Sequence, residues 1–281
     1  MSRALVTRRV VSQAGPARGT GLQDALHAEW TKLRTVAGPG WLLAAVAALT
    51  IGVSAAADAA THCPAGQACP VDTTKLTLTG VQVSQAVVAI LAVLAVGNEY
   101  SSGMIKVTLA AMPRRGLVLA AKAILVTVLV LVAGSFAALG SLLAGRLMLP
   151  GHGFTTARGF LALSLGDGPA LRATAGAVLY LALIALLGLG VAALVREPAV
   201  AIGAVLALLY LFPITAQLAS ADPSWQRHLE QIGPMQAGLA IEATTGLRSL
   251  PIGPWAGLGV LAAWAAAALL GGAVMLRWRD A

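Results

Sequence analysis

Six long apolar segments, separated by short polar ones, dominate the hydropathy pattern of this chain. Apolar runs of about 17 to 25 residues have the length that an α-helix needs to cross the hydrocarbon core of a membrane, and the two shortest segments lie near that lower limit. The pattern therefore predicts an all-α polytopic membrane protein whose membrane domain covers residues 41–276. The six predicted spans are residues 41–57, 81–96, 117–145, 173–195, 199–218 and 255–276.

Residues 20–36 show a different pattern, with apolar side chains recurring at helical spacing. Leu26, Trp30 and Leu33 share one face, while polar residues occupy the other. This pattern is typical of an amphipathic helix that lies along a membrane surface. We expect an interfacial elbow helix here, with the turn into the first span at the Gly-Pro-Gly segment 38–40. Residues 1–19 are rich in Arg and lack apolar periodicity, which predicts a disordered basic tail.

Composition supports a membrane protein and excludes a soluble enzyme core. Hydrophobic residues make up 58% of the chain, charged residues 11%, and the mean hydropathy is +0.83. If both termini are cytoplasmic, thirteen of the 19 Lys and Arg residues fall on the cytoplasmic side of the predicted spans, while the acidic residues divide almost evenly. This asymmetry predicts the orientation, and a location in the cell membrane. It also accounts for the net charge of +8 without a nucleic-acid partner.

The segment 98–122 separates the second and third spans and carries a dense basic cluster. Asn98 or Ser101 is positioned to cap a short helix with an apolar face, which Pro113 would end. We expect residues 98–116 to form a cytoplasmic loop on which a partner protein docks. The alternative is an ordinary basic loop that only sets the orientation. The basic residues of the segment are Lys106, Arg114, Arg115 and Lys122.

Glu29 lies inside the apolar stripe of the amphipathic helix. A carboxylate there costs free energy unless it is paired or reaches water. One hypothesis is that Glu29 pairs with Lys106, with an arginine of the Pro113 turn, or with a partner subunit. The other is that its side chain simply reaches the headgroups.

The chain lacks the residue patterns of an enzyme. There is no GxxxxGK[ST] loop for ATP, and the four histidines lack the spacing of a metal site. Charged residues such as Asp58 and Lys122 lie near the ends of the predicted spans, where they are expected to reach the interface, so a gradient-driven transporter is disfavoured. We expect no catalytic residues, no metal and no cofactor bound by this chain.

Two of the polar segments on the opposite side have features of their own. Cys63 and Cys69 lie in one short loop, where they either form a disulfide or remain two free thiols. Residues 220–254 are too apolar for a free loop and too short to span, which predicts a re-entrant segment on the outer side.

The layout resembles that of ABC type-2 transporter permeases, in the style of the actinobacterial ones. The residues that carry the resemblance are AEWTKLRT in the amphipathic helix, the six spans, the semi-apolar outer segment, and NEYSSGMIKVTLAAMPRRGLVLAAK between the second and third spans. The resemblance covers nearly everything after residue 20. Glu99, Tyr100 and Gly103 match the E-Y-x-x-G pattern of that family, although Met104 stands where Thr often follows.

The resemblance implies a subunit that pairs with a second permease copy, in a homodimer or heterodimer, and with separate ATPase subunits that bind ATP and Mg. The loop would then hold the coupling helix that docks on the ATPase. The residues assigned to this coupling are Glu99, Tyr100, Gly103, Met104, Lys106, Leu109, Pro113, Arg114 and Arg115, with Glu29 and Trp30 in the elbow helix.

The leading functional hypothesis is the membrane subunit of an ATP-driven exporter of a hydrophobic or amphipathic molecule. A second hypothesis, from a different class, is a non-transporting membrane scaffold or sensor that recruits a cytoplasmic partner through the same loop. The presence of a nucleotide-binding subunit beside this chain distinguishes the two.

Overall fold

A computed structural model describes residues 21–64, 69–105, 115–155, 157, 159–160, 163, 166–219 and 223–278. Within these residues every regular element is a helix. The α-helices are α1 (Leu22–Thr35), α2 (Ala37–Ala60), α3 (Thr73–Thr77), α4 (Val81–Ser101), α5 (Arg115–Met148), α6 (Gly168–Val195), α7 (Pro198–Leu206), α8 (Phe212–Ala219), α9 (Pro223–Ile232), α10 (Pro234–Leu239) and α11 (Pro254–Trp278).

Six of the described helical segments are long and apolar enough to cross a membrane. Five of them are α2, α4, α5 with the short 3-10 turn that follows it, α6, and α11; the sixth, Pro198–Thr215, includes α7 and the start of α8. The chain is therefore an all-helical protein of the membrane-embedded type. Five of these segments begin before the predicted apolar runs, because polar residues and small residues extend the same helices.

The turn between α1 and α2 is not where the sequence suggested. Val36 is the extended residue between the two helices, and the Gly-Pro-Gly segment 38–40 already belongs to the first turn of α2. Pro39 is tolerated there because the first N–H groups of a helix have no intrahelical acceptor to lose. The prediction of a bend at residues 38–40 was wrong by two residues.

The fifth span is interrupted by a stretch of π-helix, Ala207–Leu211, between α7 and α8. Pro213 lies two residues after this stretch and cannot donate to the carbonyl of Leu209 four residues earlier. A wider helical turn relieves the clash that the proline ring would otherwise make with that carbonyl. The irregularity therefore has a local cause in the sequence.

Helix α6 lies at the centre of the bundle and packs against α4, α5, α7 and α11. The approach of α6 to α11 depends on glycine. A Cβ atom added to Gly190 would lie 2.6 Å from backbone atoms of Ala268 and Leu269. A larger residue at this position would push the two helices apart, as is typical where small residues allow membrane helices to approach closely.

The bundle has two ends with different contents. We call the "charged end" the one that holds α1, the last turn of α4, the first two turns of α5 and the last turn of α11. We call the "disulfide end" the opposite one, where Cys63 and Cys69 are joined by a disulfide. Between residues 220 and 254, α9 and α10 form a helix pair joined at Gly233 at the disulfide end. That this pair re-enters a membrane stays a prediction.

Candidate functional site

A cluster of four charged side chains connects three helices at the charged end. Glu29 and Lys32 come from α1, Glu99 from the last turn of α4, and Lys122 from the second turn of α5. Lys122 Nζ lies 2.6 Å from Glu29 Oε2 and 2.8 Å from Glu99 Oε1. Lys32 Nζ lies 2.9 Å from Glu29 Oε1 and 2.7 Å from Glu99 Oε1. We call these four residues the ionic cluster.

Three members of the ionic cluster are buried. Glu29 is 2% exposed, Glu99 6% and Lys122 5%. A buried charge is tolerated only when opposite charges and hydrogen bonds replace the water it has lost. Here each carboxylate contacts two ammonium groups and each ammonium contacts two carboxylates. The cluster is therefore electrically balanced within itself.

The ammonium group of Lys122 makes hydrogen bonds that replace those it would make to water. It donates to Glu29 Oε2, to Glu99 Oε1 and to the carbonyl oxygen of Ala95, the last at 3.1 Å. A lysine has three N–H donors, so all three are used. The carbonyl of Ala95, one turn before Glu99, adds a second contact from α4.

Lys32 is the most exposed member, with 31% of its side chain accessible. Partial burial by itself lowers the pKa of Lys32, but the hydrogen bonds and negative charges of Glu99 and Glu29 outweigh burial and raise the pKa above its ordinary value. Lys32 is therefore charged over the physiological pH range. It completes the balance of two carboxylates and two ammonium groups.

The ionic cluster corrects two expectations drawn from the sequence. Lys122 does not reach the interface at a span end but is buried between α1, α4 and α5. Glu29 is paired, as one of the two hypotheses held, yet its partners are Lys122 and Lys32. Helix α5 begins at Arg115. The contacts of Lys122 with Glu29 and Glu99 show that it lies on the face of α5 that points to α1 and α4.

Asn98 and Ser101 lie inside α4 and not at the start of a new helix, although helical residues resume at Met104 and Ile105. Helix α4 continues through Ser101, and the carbonyl of Asn98 accepts hydrogen bonds from the hydroxyl groups of Ser101 and Ser102. Gly103 follows with a positive φ of 71°. Glycine adopts this left-handed conformation without steric cost, so the chain can leave the helix here.

The other predicted coupling residues have the following places. The guanidinium carbon of Arg196 lies 5.6 Å from the centroid of the Tyr100 ring. The side chain of Met104 is 47% exposed. Arg115 Nη1 donates to the carbonyl oxygen of Leu276 at 2.8 Å. In the amphipathic helix, Trp30 is 43% exposed. Lys106, Leu109, Pro113 and Arg114 lie outside the described residues.

Two arginines bind the carboxyl-terminal end of α11. Besides Arg115, Arg196 donates from Nη2 to the carbonyl oxygen of Met275 at 2.8 Å. The last carbonyls of a helix have no intrahelical donor, and they carry partial negative charge. Arg115 therefore links the first turn of α5 to α11, so the start of α5 contacts α1 and α4 through Lys122 and α11 through Arg115. Arg196 was not assigned a role from the sequence.

Asp58, at the disulfide end, was also expected to reach the interface from the end of a span. That expectation was wrong. Asp58 is fully buried in α2, where its Oδ1 accepts from the hydroxyl group of Thr77 at 3.4 Å. Its Oδ2 has no hydrogen-bond partner among the described residues. No ammonium or guanidinium group pairs with Asp58 among those residues.

Asp72 and Glu242 lie outside the spanning segments at the disulfide end, and their environments differ sharply. Burial alone would raise the pKa of Asp72, but hydrogen bonds from the Thr244 side chain and from three backbone N–H groups hold the pKa below its ordinary value. Glu242 is fully buried, and neither of its carboxyl oxygens has a hydrogen-bond partner in the described part of the chain. Burial raises the pKa of Glu242 to about 8.

Metal binding has no support in the described ranges, where no group of three or more His, Cys, Asp or Glu side chains is placed to hold an ion. No protein-family model matches the chain, and no curated protein matches its sequence.

Proposed function

We propose that this chain is the membrane-spanning permease subunit of an ATP-driven ABC exporter. It would move a hydrophobic or amphipathic substrate across the cell membrane, in a complex with a second permease copy and separate ATPase subunits. The distribution of Lys and Arg supports an orientation in which the charged end faces the cytoplasm.

The ionic cluster is the observation that carries this proposal. The connection between α4 and α5, residues 102–114, begins three residues after Glu99 and ends eight residues before Lys122. Glu99 contacts Lys32 of α1, Lys122 contacts Glu29 of α1, and Glu99 and Lys122 contact each other. A force applied to this connection would therefore act on α1, α4 and α5 together, which is what a segment that transmits work from a motor requires.

The absence of a P-loop from the sequence is consistent with a motor on a separate subunit. In the proposed cycle, ATP binding closes the ATPase dimer against the connection at residues 102–114. The connection then pushes on α4 and α5, and the ionic cluster carries α1 with them. Arg115 extends the same displacement to the end of α11 through the carbonyl of Leu276.

Affinity purification from native membranes tests the partner. The proposal predicts that a subunit with a P-loop copurifies, that the complex hydrolyses ATP, and that reconstitution in liposomes gives ATP-dependent transport of amphipathic compounds. Copurification of a kinase or regulator in place of an ATPase would contradict the proposal and support the scaffold hypothesis.

A proline in the connection tests the coupling. Leu109→Pro removes an N–H donor and would break the coupling helix that the sequence predicts there, whereas the matched control Leu109→Ala preserves helix propensity. We expect Leu109→Pro to abolish ATP-dependent transport while membrane insertion stays normal, and Leu109→Ala to retain transport. Coupled transport that survives Leu109→Pro would contradict the docking role of this segment.

A further inference from the structure

A cavity of about 370 Å³ lies at the disulfide end, where α3, α4, α8, α9, α10 and the segment before α11 form its wall. Its volume falls in the range of small-molecule binding sites. Apolar and polar side chains both line it. The apolar part includes Met235 and Leu239 of α10. The polar part consists of Lys75 of α3, Gln82 of α4, Glu230 of α9 and Gln236 of α10.

Hydrogen bonds between the walls fix the shape of this cavity. The hydroxyl group of Tyr210 donates to the carbonyl oxygen of Gln82 at 2.6 Å and joins the fifth span to α4. Gln231 Nε2 donates to the carbonyl oxygen of Pro251 at 2.7 Å and joins α9 to the segment before α11. Because these walls are already positioned, a ligand that enters the cavity has little ordering cost to overcome.

Two opposite charges line the cavity without pairing with each other. Lys75 is exposed, and its ammonium group makes no hydrogen bond or ion pair within the described ranges. Glu230 is partly buried, and its Oε1 accepts from Gln226 Nε2 at 3.3 Å, while no cation pairs with it in the same ranges. Since both residues line one cavity, a single small molecule can contact both charges.

The acidic neighbours of Lys75 make no ion pair with its ammonium group among the described residues. Asp72 Oδ1 accepts from the N–H of Lys75 and the hydroxyl group of Thr244, and Oδ2 accepts from the N–H groups of Thr244 and Thr245. Burial raises the pKa of Glu242 to about 8, so Glu242 is mainly uncharged at pH 7. The charge of Lys75 is therefore available to an anionic group in the cavity.

We propose that this cavity binds a small zwitterion with an apolar body, whose anionic group contacts Lys75 and whose cationic group contacts Glu230. Hydrogen bonds between such charged groups are roughly twice as strong as neutral ones. The apolar body packs against Met235 and Leu239, where burial of apolar surface stabilises it. Amino acids, short peptides and zwitterionic lipid head groups share this chemistry. The site does not depend on the proposed export function, because its residues belong to this chain alone.

Competition binding to the intact chain in phosphatidylglycerol nanodiscs, without ATP, tests the two charges. The probe is radiolabelled leucyl-leucine, a zwitterion with an apolar body. Leucyl-leucinamide lacks the anionic group, and N-acetyl-leucyl-leucine lacks the cationic one. We expect leucyl-leucine to bind about tenfold more tightly than either blocked peptide. Equal affinity of the three peptides, or no saturable binding of the probe, would overturn the proposal.

Two variants assign each charge of the peptide to its residue. In Lys75→Gln, leucyl-leucine should bind about tenfold more weakly than in the wild type and no better than leucyl-leucinamide. In Glu230→Gln, it should bind no better than N-acetyl-leucyl-leucine. The control Arg248→Gln removes an exposed cation at the same end, outside the cavity wall, and should retain the wild-type affinities. A preference for the zwitterion that both charge variants retain would overturn the assignment.

The lipid composition of the nanodisc identifies the source of the zwitterion. Phosphatidylethanolamine carries a phosphate and an ammonium group in its head, whereas phosphatidylglycerol lacks the ammonium group. Displacement of leucyl-leucine by added phosphatidylethanolamine would support a lipid head group as the occupant. Binding that phosphatidylethanolamine leaves unchanged would support a soluble zwitterion.

Discussion

The two ends of the bundle bury carboxyl groups in opposite ways. At the charged end, Glu29 and Glu99 each contact two lysines, and the pairs connect three helices. At the disulfide end, Asp58 and Glu242 are more deeply buried, yet no cation pairs with either of them in the part of the chain that the structure describes. Burial alone therefore does not define the role of a carboxyl group.

At the charged end the carboxylates act as ions that hold helices together. At the disulfide end Glu242 is mainly a neutral acid at pH 7, because burial raises its pKa to about 8. The charged end should therefore respond strongly to loss of a charge and the disulfide end to a change of pH. The following variants test this comparison, beginning with the largest expected effect.

Removal of the Lys122 charge should destabilise the fold most. Lys122→Met leaves two buried carboxylates with Lys32 as the remaining cation of the ionic cluster, and breaking a buried ion pair in this way costs about 3 to 5 kcal/mol. The free energy of unfolding, measured by denaturant titration in detergent, should fall by that amount. Arg146→Met removes an exposed cation from the other end of α5 and should change stability by about 0.5 kcal/mol or less. Equal effects of the two variants would contradict the structural role of the ionic cluster.

Glu242 should make stability fall as the pH rises. Its pKa is raised in the folded chain, so the folded state keeps a proton that the unfolded state loses from near pH 4.5 upwards. Stability is therefore greatest below that pH and is lost progressively up to about pH 8, by on the order of 2 kcal/mol between pH 5 and pH 7. The melting temperature of the wild type should follow this trend.

Glu242→Gln is the matched variant, since glutamine resembles the protonated acid in shape and cannot ionise. Its stability should be close to that of the wild type at pH 5 and should exceed it at pH 8. A pH profile identical to that of the wild type would show that Glu242 does not carry the dependence.

Asp72 should show the opposite sign with a smaller effect. Its pKa is lowered in the folded chain, so its contribution is present above the ordinary pKa of an aspartate and is lost as the pH falls through the lowered folded value. Asp72→Asn weakens the contacts to Thr244 and Thr245 and should cost about 1 to 2 kcal/mol at pH 7. Thermal melts of both proteins at pH 7 and near pH 3 measure the difference, which should shrink in acid. A difference that grows in acid would contradict this assignment.

Much of the fold could be predicted from the sequence, because apolar runs of sufficient length report directly on membrane-spanning helices. The details that differed depend on local backbone chemistry. Pro39 is compatible with the first turn of α2, so it did not mark the bend. The π-helical stretch Ala207–Leu211 has no periodic sequence signal, although Pro213 indicates where it forms.

The ionic cluster could be predicted only in part. The position of Glu29 in an apolar stripe indicated that its carboxylate must be paired or reach water. The sequence of α1 was enough for that inference. The identity of the partner required the relative positions of α1, α4 and α5, which helical periodicity does not contain. The prediction that Lys122 reaches the interface was wrong because the position of a residue along the chain does not show which face of α5 it occupies.

A double-mutant cycle between Glu29 and Lys122 measures how strongly the ionic cluster connects α1 to α5. The free energy of unfolding is measured for the wild type, Glu29→Gln, Lys122→Met and the double variant. If the ionic cluster connects α1 to α4 and α5, the double variant should be more stable than the sum of the single effects predicts, with a coupling energy of about 2 kcal/mol. Additivity of the two substitutions within about 0.5 kcal/mol would contradict it.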